Sequence, residues 1–139
     1  PAYRPEEMDK LTAICDHMVF NSCAQWRKFH DKVQSCGREI KCGIRINPEY
    51  SEIETDIYNP CFTGSRLGTT LENFDETALD GISGLHFHTM CEQGEDVLER
   101  TLPHVEEKFG FMFDKIKNVL NEECSDKECS IFCYFTVWR

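Results

Sequence analysis

Two histidines and a group of polar side chains within Asp80–Gln93 are the first candidates for chemistry in this sequence. His86 and His88 are two residues apart, so a β-strand places both imidazoles on the same face of its sheet. Gly84–Thr89 is predicted to be a short buried strand, with Leu85 and Phe87 on the face opposite the histidines. Functional sites of parallel sheets collect where strands end, and the residues after this strand are polar or reactive: Cys91, Glu92 and Gln93.

The composition limits the classes of partner. The 139 residues carry 25 acidic and 15 basic side chains, which gives a formal net charge of −10. Such a surface repels the phosphates of nucleic acids and attracts cations, polyamines among them. With 40% hydrophobic and 29% charged residues, the sequence is typical of one globular domain or part of one. It contains no apolar run of about 20 residues, the length of a membrane-spanning helix, and no visible signal peptide.

The nine cysteines indicate a reducing environment. Their number is odd, and most of them lie inside predicted helices and strands, which is not typical of a disulfide framework. We therefore expect a cytoplasmic protein. The sequence begins at Pro1 rather than at a methionine, which indicates either processing or a longer parent chain.

The first half of the chain alternates helical and strand patterns with short connections. Ser22 followed by Gln25 is a capping-box pattern that predicts the start of a helix. The alternation predicts an α/β fold, with βα units around a parallel sheet. The predicted elements are a helix at Pro5–Cys15, a strand at His17–Asn21, a helix from Ser22 to about Ser35 and a strand at Lys41–Asn47.

The second half begins with a long irregular connection at Pro48–Gly68, a length that is typical of functional loops. Apolar spacing predicts an amphipathic helix at Glu95–Phe109, in which Pro103 predicts a kink or a restart. The other predicted elements are a short helix at Leu71–Leu79, a further helix at Phe111–Glu123 and a strand at Ile131–Trp138.

Five separated stretches of the sequence form a recognisable pattern: AYRPEEM at the start, Phe20–Trp26, Gly43–Glu49, Tyr58–Gly68 and Asp80–Gln93. In this order they resemble the motifs of carboxynorspermidine (carboxyspermidine) decarboxylases, which are pyridoxal 5'-phosphate (PLP) dependent decarboxylases of the alanine-racemase type. The resemblance implies a partial (β/α)8 TIM-like barrel, with residues 1–110 as its central part and residues 111–139 as a divergent tail of helix plus strand. It also implies that the intact enzyme is a homodimer.

The resemblance also implies roles for individual residues. By similarity, His88 would stack on the PLP ring, and Arg45 would hydrogen-bond near a cofactor oxygen and orient the ring. Cys91 occupies the place of a small phosphate-contacting group, although a thiol is a weak donor. Glu92 and Gln93 would meet the nitrogens of a polyamine substrate. No metal ligand is implied.

The sequence departs from the family in two places that matter for chemistry. We find no lysine at the end of an early barrel strand, where the family places its Schiff-base lysine. The stretch after about Lys117, where a glycine-rich phosphate loop should follow, contains no glycine. We therefore interpret the chain as a fragment of a polyamine-biosynthetic decarboxylase, and we expect it to be inactive alone because covalent attachment of the cofactor requires the lysine.

Other interpretations remain open at this point. Cys91 could be a nucleophile paired with His86 or His88, or an inert packing residue. Arg45 could form only a structural ion pair, and Asn21 could serve only in helix capping. The chain could also be a non-catalytic, polyamine-binding or regulatory barrel fragment. A zinc site is a further alternative, although its spacing is unusual; it would use His104, Cys124, Cys129 and Cys133.

Overall fold

The computed structural model describes residues 2–91, 93–120 and 136–138. Within them, four strands form one sheet in the order β1-β2-β3-β4. The first three strands are parallel, and β4 is antiparallel to β3. The strands are β1 at His17–Phe20, β2 at Lys41–Arg45, β3 at Ile82–His86 and β4 at Thr136–Trp138; the helices are α1 at Met8–Ile14, α2 at Cys23–Gln34 and α3 at Glu95–Leu120.

Helix α2 begins as the sequence predicted. The Ser22 Oγ accepts a hydrogen bond from the Gln25 backbone N–H at 3.1 Å. The reciprocal bond is displaced by one residue, because the Gln25 side-chain oxygen accepts from the backbone N–H of Asn21 at 2.8 Å rather than from that of the cap itself. The helix ends at Gln34, one residue before the predicted end, and Gly37 follows with a φ of 76°.

Two apolar clusters cover one face of the sheet. The first joins α1 and α2 to β1 and β2, with Trp26 and Phe20 at its centre. The second joins α3 to β3, with Leu85 and Phe87 packed on Val105 and Phe109. The prediction that Leu85 and Phe87 share a face opposite the histidines is therefore confirmed.

The strands that carry the site end earlier than predicted. Strand β2 stops at Arg45 rather than Asn47, and β3 covers Ile82–His86 rather than Gly84–Thr89. Just beyond β2, the Ile46 N–H still donates to the His86 carbonyl of β3 at 2.8 Å, and Ile46 also forms an isolated parallel bridge with Thr69. The loop after β2 therefore returns to the sheet, and its Thr69 pairs with Ile46, just past the end of β2.

The predicted helix at Leu71–Leu79 is wrong. That stretch forms two separate 3₁₀ turns, at Leu71–Asn73 and Glu76–Ala78. The Asp75 side chain accepts from the Thr77 N–H at 3.0 Å and so caps the second turn. Asp and Asn side chains of this kind stabilise turns at the expense of a continuous helix.

Helix α3 is continuous from Glu95 to Leu120, so it does not restart near Pro103. The helical stretch predicted from Phe111 is confirmed as far as Leu120, but it is part of α3 and not a separate helix. The buried stripe of Val105, Phe109 and Met112 runs along one face of the helix. Apolar packing of this stripe outweighs the hydrogen bond that proline removes. The helix spans residue 110, where the sequence predicted the boundary between the barrel part and the divergent tail. That domain boundary stays a prediction. Residues 121–135 of the predicted tail lie outside the described residues.

Candidate functional site

Arg45 and His86 lie side by side where two neighbouring parallel strands end. They are Cα partners across β2 and β3, so their side chains share the sheet face opposite the α3 cluster. His88 follows two residues later, and all three side chains are half-buried. They line one cavity of about 520 Å³, which falls within the range typical of small-molecule sites.

The opposite wall of this cavity is the long loop after β2, and it is mostly apolar. Of its residues, Ile57 is 84% exposed and Tyr58 is 68% exposed, so the rim presents apolar surface to solvent. Arg45 is the one charged side chain in the cavity lining of the described part. The loop residues that line the cavity are Ile57, Tyr58, Asn59, Pro60, Phe62 and Leu67.

Two hydrogen bonds tie this loop to the segment that follows β3. The Ser51 Oγ donates to the Thr89 carbonyl at 2.6 Å, and the Cys61 thiol donates to the His88 carbonyl at 3.7 Å. Cys61 is 8% exposed. The loop and the histidine segment are therefore tied to each other at two points.

A stripe on α3 holds the beginning of the same loop. Arg100, His104 and Lys108 are spaced four residues apart and so lie on one helix face. Arg100 makes a bidentate ion pair with Glu52, with both N–O distances at 2.7 Å. His104 stacks on Tyr50 with ring centroids 3.8 Å apart, and Lys108 contacts Glu49 at 2.7 Å. We call Arg100, His104 and Lys108 the α3 stripe.

The electrostatics of the cavity favour an anionic ligand group. Burial, and to a smaller extent the neighbouring Arg45 and His88, together lower the pKa of His86 to about 4. Burial, and then Arg45, also lower the pKa of His88. Burial lowers the pKa of Arg45, although a guanidinium stays charged. At neutral pH the cavity thus holds one cation and two neutral imidazoles.

The cysteine near the cavity is not an activated thiol. Burial raises the pKa of Cys61 to about 11, and the opposing effect of Arg45 is smaller. A protonated thiol is a poor nucleophile. Cys91, by contrast, is exposed and is not among the residues that line the cavity. The geometry therefore gives no support to a Cys–His nucleophilic pair.

Only part of the predicted site set meets at the cavity. Arg45 and His88 do, while Cys91 and Gln93 are not in its lining, and Glu92 lies outside the described residues. The Gln93 Oε1 is buried and has no hydrogen-bond partner within the described part, so it could accept from a ligand donor. Within that part no carboxylate forms an ion pair with Arg45. The cofactor and substrate roles of these residues stay predictions.

The cavity contains functional candidates that sequence reasoning left out. The sequence places His86 on the same face as His88 and offers it a role only as a possible partner of Cys91. Its pairing with Arg45 follows from the strand register, which the sequence alone does not define. Ile57, Phe62 and Leu67 carry no polar group that would have marked them. The irregular length of the loop was the available signal.

The three cysteines of the zinc alternative, Cys124, Cys129 and Cys133, lie outside the described residues. Across residues 2–91, 93–120 and 136–138, no three His, Cys, Asp or Glu side chains are grouped to hold a metal ion. None of the helices in the same ranges is long and apolar enough to cross a membrane.

Comparison with known proteins confirms the family resemblance. No family model matches the chain. Over 117 residues, which are 84% of this chain, it is 38% identical to a carboxyaminopropylagmatine decarboxylase of Synechocystis sp. and 39% identical to a carboxynorspermidine/carboxyspermidine decarboxylase of Campylobacter jejuni. A similar enzyme of Herminiimonas arsenicoxydans is 28% identical over 116 residues.

A solved structure supports the same relationship in three dimensions. The crystal structure of carboxynorspermidine decarboxylase from Campylobacter jejuni, complexed with norspermidine, is 37% identical and superimposes with a TM-score of 0.70. It matches 84% of this chain and 28% of that enzyme. The prediction of a partial α/β barrel is therefore confirmed. The chain spans about 30% of the length of the curated relatives it matches.

Proposed function

We propose that this chain is the central part of the barrel of a PLP-dependent decarboxylase that acts on carboxynorspermidine or carboxyspermidine in polyamine biosynthesis. The observation that carries the proposal is the convergence of Arg45, His86 and His88 on one cavity at the carboxyl ends of parallel strands. The relatives that match this region are named as decarboxylases of carboxylated polyamines. We further propose a cytoplasmic homodimer for the intact enzyme.

The residues of the cavity fit the proposed cofactor. PLP is a flat, anionic ring, and the cavity offers apolar walls, one half-buried guanidinium and two neutral imidazoles. Arg45 would attract and orient an oxygen of the ring, and His88 would lie against its face. When bound, PLP supplies an electron sink for loss of carbon dioxide from an amino acid.

The protein's own contribution would be orientation and exclusion of water. Because His86 stays neutral well below neutral pH, it adds no positive charge beside Arg45 and can act as a hydrogen-bonding group. The apolar loop residues Tyr58 and Phe62 would cover the ligand from the solvent side. Displacement of water by a bound ring would strengthen the electrostatic contacts within the site.

No lysine lines the cavity in the described part of the chain. We propose that the lysine that attaches the cofactor, and the glycine-rich phosphate loop, belong to regions of the decarboxylase that these 139 residues do not supply. The chain alone is then expected to bind PLP reversibly and to release no carbon dioxide from carboxynorspermidine or carboxyspermidine.

The alternative of a non-catalytic polyamine-binding fragment is not favoured by the cavity. Polyamines are polycations, and the charged group in the cavity lining is the cation Arg45. Like charges repel across a partly buried site. Binding of norspermidine with an affinity that does not depend on PLP would nevertheless support this alternative.

Titration of PLP into the purified chain tests the proposal. We expect saturable binding, seen as a change in the cofactor absorbance, that weakens by about tenfold in Arg45→Ala, the loss expected for one charge-assisted hydrogen bond. The matched control is Arg27→Ala. It removes from α2 an arginine that forms a surface ion pair with Asp75, and it should not change the affinity for PLP. Equal affinity of the Arg45→Ala and parent chains would contradict the proposal.

A further inference from the structure

Asn21 directly follows β1, and both polar atoms of its side chain form hydrogen bonds with a distant part of the loop after β2. The Asn21 Nδ2 donates to the Arg66 carbonyl at 2.9 Å, and the Asn21 Oδ1 accepts from the Gly68 N–H at 2.9 Å. The Thr69 Oγ1 adds a weaker bond to the Asn21 carbonyl at 3.4 Å. The side-chain amide thus pairs with the loop backbone as a neighbouring peptide group would.

The held segment lies directly on Arg45. Gly68 has a φ of +83°, and a Cβ at that position would lie 2.9 Å from the Ile46 carbonyl carbon and 3.2 Å from the Arg45 Cγ. The Thr69 N–H donates to the Arg45 carbonyl at 2.9 Å. Between the two residues bonded to Asn21 is Leu67, which lines the cavity. The segment therefore packs on the stem of Arg45 and forms part of the cavity wall.

We propose that Asn21 is a positioning residue of this cavity: by fixing Arg66–Gly68, it sets the place of Leu67 and restricts the Arg45 side chain. It acts through these residues and does not itself line the cavity. The inference rests on the proposed function only for what the cavity binds, because the contacts themselves involve this chain alone.

Helix capping does not account for these bonds. The cap of α2 is Ser22, and the contribution of Asn21 to that turn is its backbone N–H. Both polar atoms of the Asn21 side chain point instead to residues 45 and 47 positions later in the sequence. A side chain whose only task was the turn would not need those partners.

Amide exchange and histidine titration by NMR test the proposal on the 139-residue chain without any ligand. In Asn21→Ala, we expect the Gly68 N–H to lose its protection from exchange. The loosened wall should admit water to the cavity, and the pKa of His86 should rise by about one unit or more toward its ordinary value near 6.5. In Asn21→Asp, which keeps the acceptor oxygen but not the donor, Gly68 should remain protected.

Ser22→Ala is the matched control, because the Ser22 side chain caps the same turn and is not one of the groups that bind the loop. It should lower the melting temperature and leave both the Gly68 exchange and the His86 titration unchanged. An unchanged His86 titration in Asn21→Ala, or an equal rise in Ser22→Ala, would overturn the proposal. If Asn21→Ala does not fold, loss of Gly68 protection in Asn21→Asp would overturn it. Absence of PLP binding by the parent chain would count against the proposed function and leave this test intact.

Discussion

At the scale of single residues, the chemistry of the site depends on a charge difference between neighbours. Arg45 and His86 are partners in adjacent strands, yet burial and the guanidinium keep the imidazole neutral while the guanidinium stays charged. The result is a cation flanked by neutral hydrogen-bonding rings. Such an arrangement recognises an anionic group without the repulsion that a protonated histidine would add.

His86 should make the stability of the fold depend on pH. Its folded pKa is about 4, below the unfolded value near 6.5, so the unfolded state binds more protons between these values. Stability from this group is therefore complete above about pH 6.5 and is lost as the pH falls toward 4. Allowing for partial exposure, we expect a loss of about 1–2 kcal/mol.

Urea unfolding at several pH values between about 4 and 7.5 measures this effect. His86→Gln keeps a polar side chain of similar size without a titrating ring, and it should flatten the stability profile in that window. A variant whose stability falls with pH as steeply as that of the parent would show that other groups account for the loss.

Alkylation should distinguish the cysteines by their surroundings. Cys91 is exposed, whereas Cys61 is buried and its pKa is raised to about 11. Because the thiolate is the reacting form, iodoacetamide at neutral pH should modify Cys91 well before Cys61, as followed by peptide mass spectrometry. Urea should abolish the difference. Modification of Cys61 at the rate of Cys91 in the folded chain would mean that the cavity wall is open or the thiol activated.

At the scale of elements, the site is a junction of two strand ends, one loop and one helix. Strands β2 and β3 supply the functional side chains, and the loop supplies the wall. The α3 stripe fixes the first residues of that loop, where Glu49 takes the strained φ of 56°. Helix α3 thus packs against the core with one face and contacts the loop that forms the cavity wall with another.

The Arg100–Glu52 pair should hold the loop locally more than it stabilises the fold. Because both side chains are partly exposed, we expect Arg100→Gln to lower the stability of the fold only slightly, with less effect in 1 M salt. Hydrogen exchange should quicken in the loop around Tyr50–Phe62. The control Arg27→Gln breaks a comparable surface pair with Asp75 and should leave exchange in that loop as it was. Unchanged loop exchange in Arg100→Gln would refute the role of the α3 stripe.

At the scale of the whole molecule, the alternation of elements was predictable and the contacts between distant segments were not. Apolar spacing and the Ser22 cap were enough to predict α2, the parallel strands and the helix on β3, because these signals are local. Arg45 and His88 were identified through the family resemblance. The role of Asn21 was missed, since its partners lie in a loop whose return to the sheet has no local signal. The antiparallel pairing of β4 was missed for the same reason.

In the described part of the chain, Arg45 and His86 share one face of the parallel strands and are half-buried there. In a complete barrel such a face is the interior, filled by the side chains of the other strands. Full catalysis should therefore require the rest of the barrel, which agrees with a match to only about 30% of each relative.

The most direct test is an activity measurement on a hybrid in which the 117 matched residues replace their counterpart in the Campylobacter jejuni enzyme. Release of carbon dioxide from carboxynorspermidine and carboxyspermidine would be measured for the hybrid, for the hybrid with Arg45→Ala and for the 139-residue chain alone. We predict activity in the hybrid, a loss of roughly 100-fold or more with Arg45→Ala and none in the chain alone. A folded hybrid that binds PLP but releases no carbon dioxide would contradict the assignment to a decarboxylase.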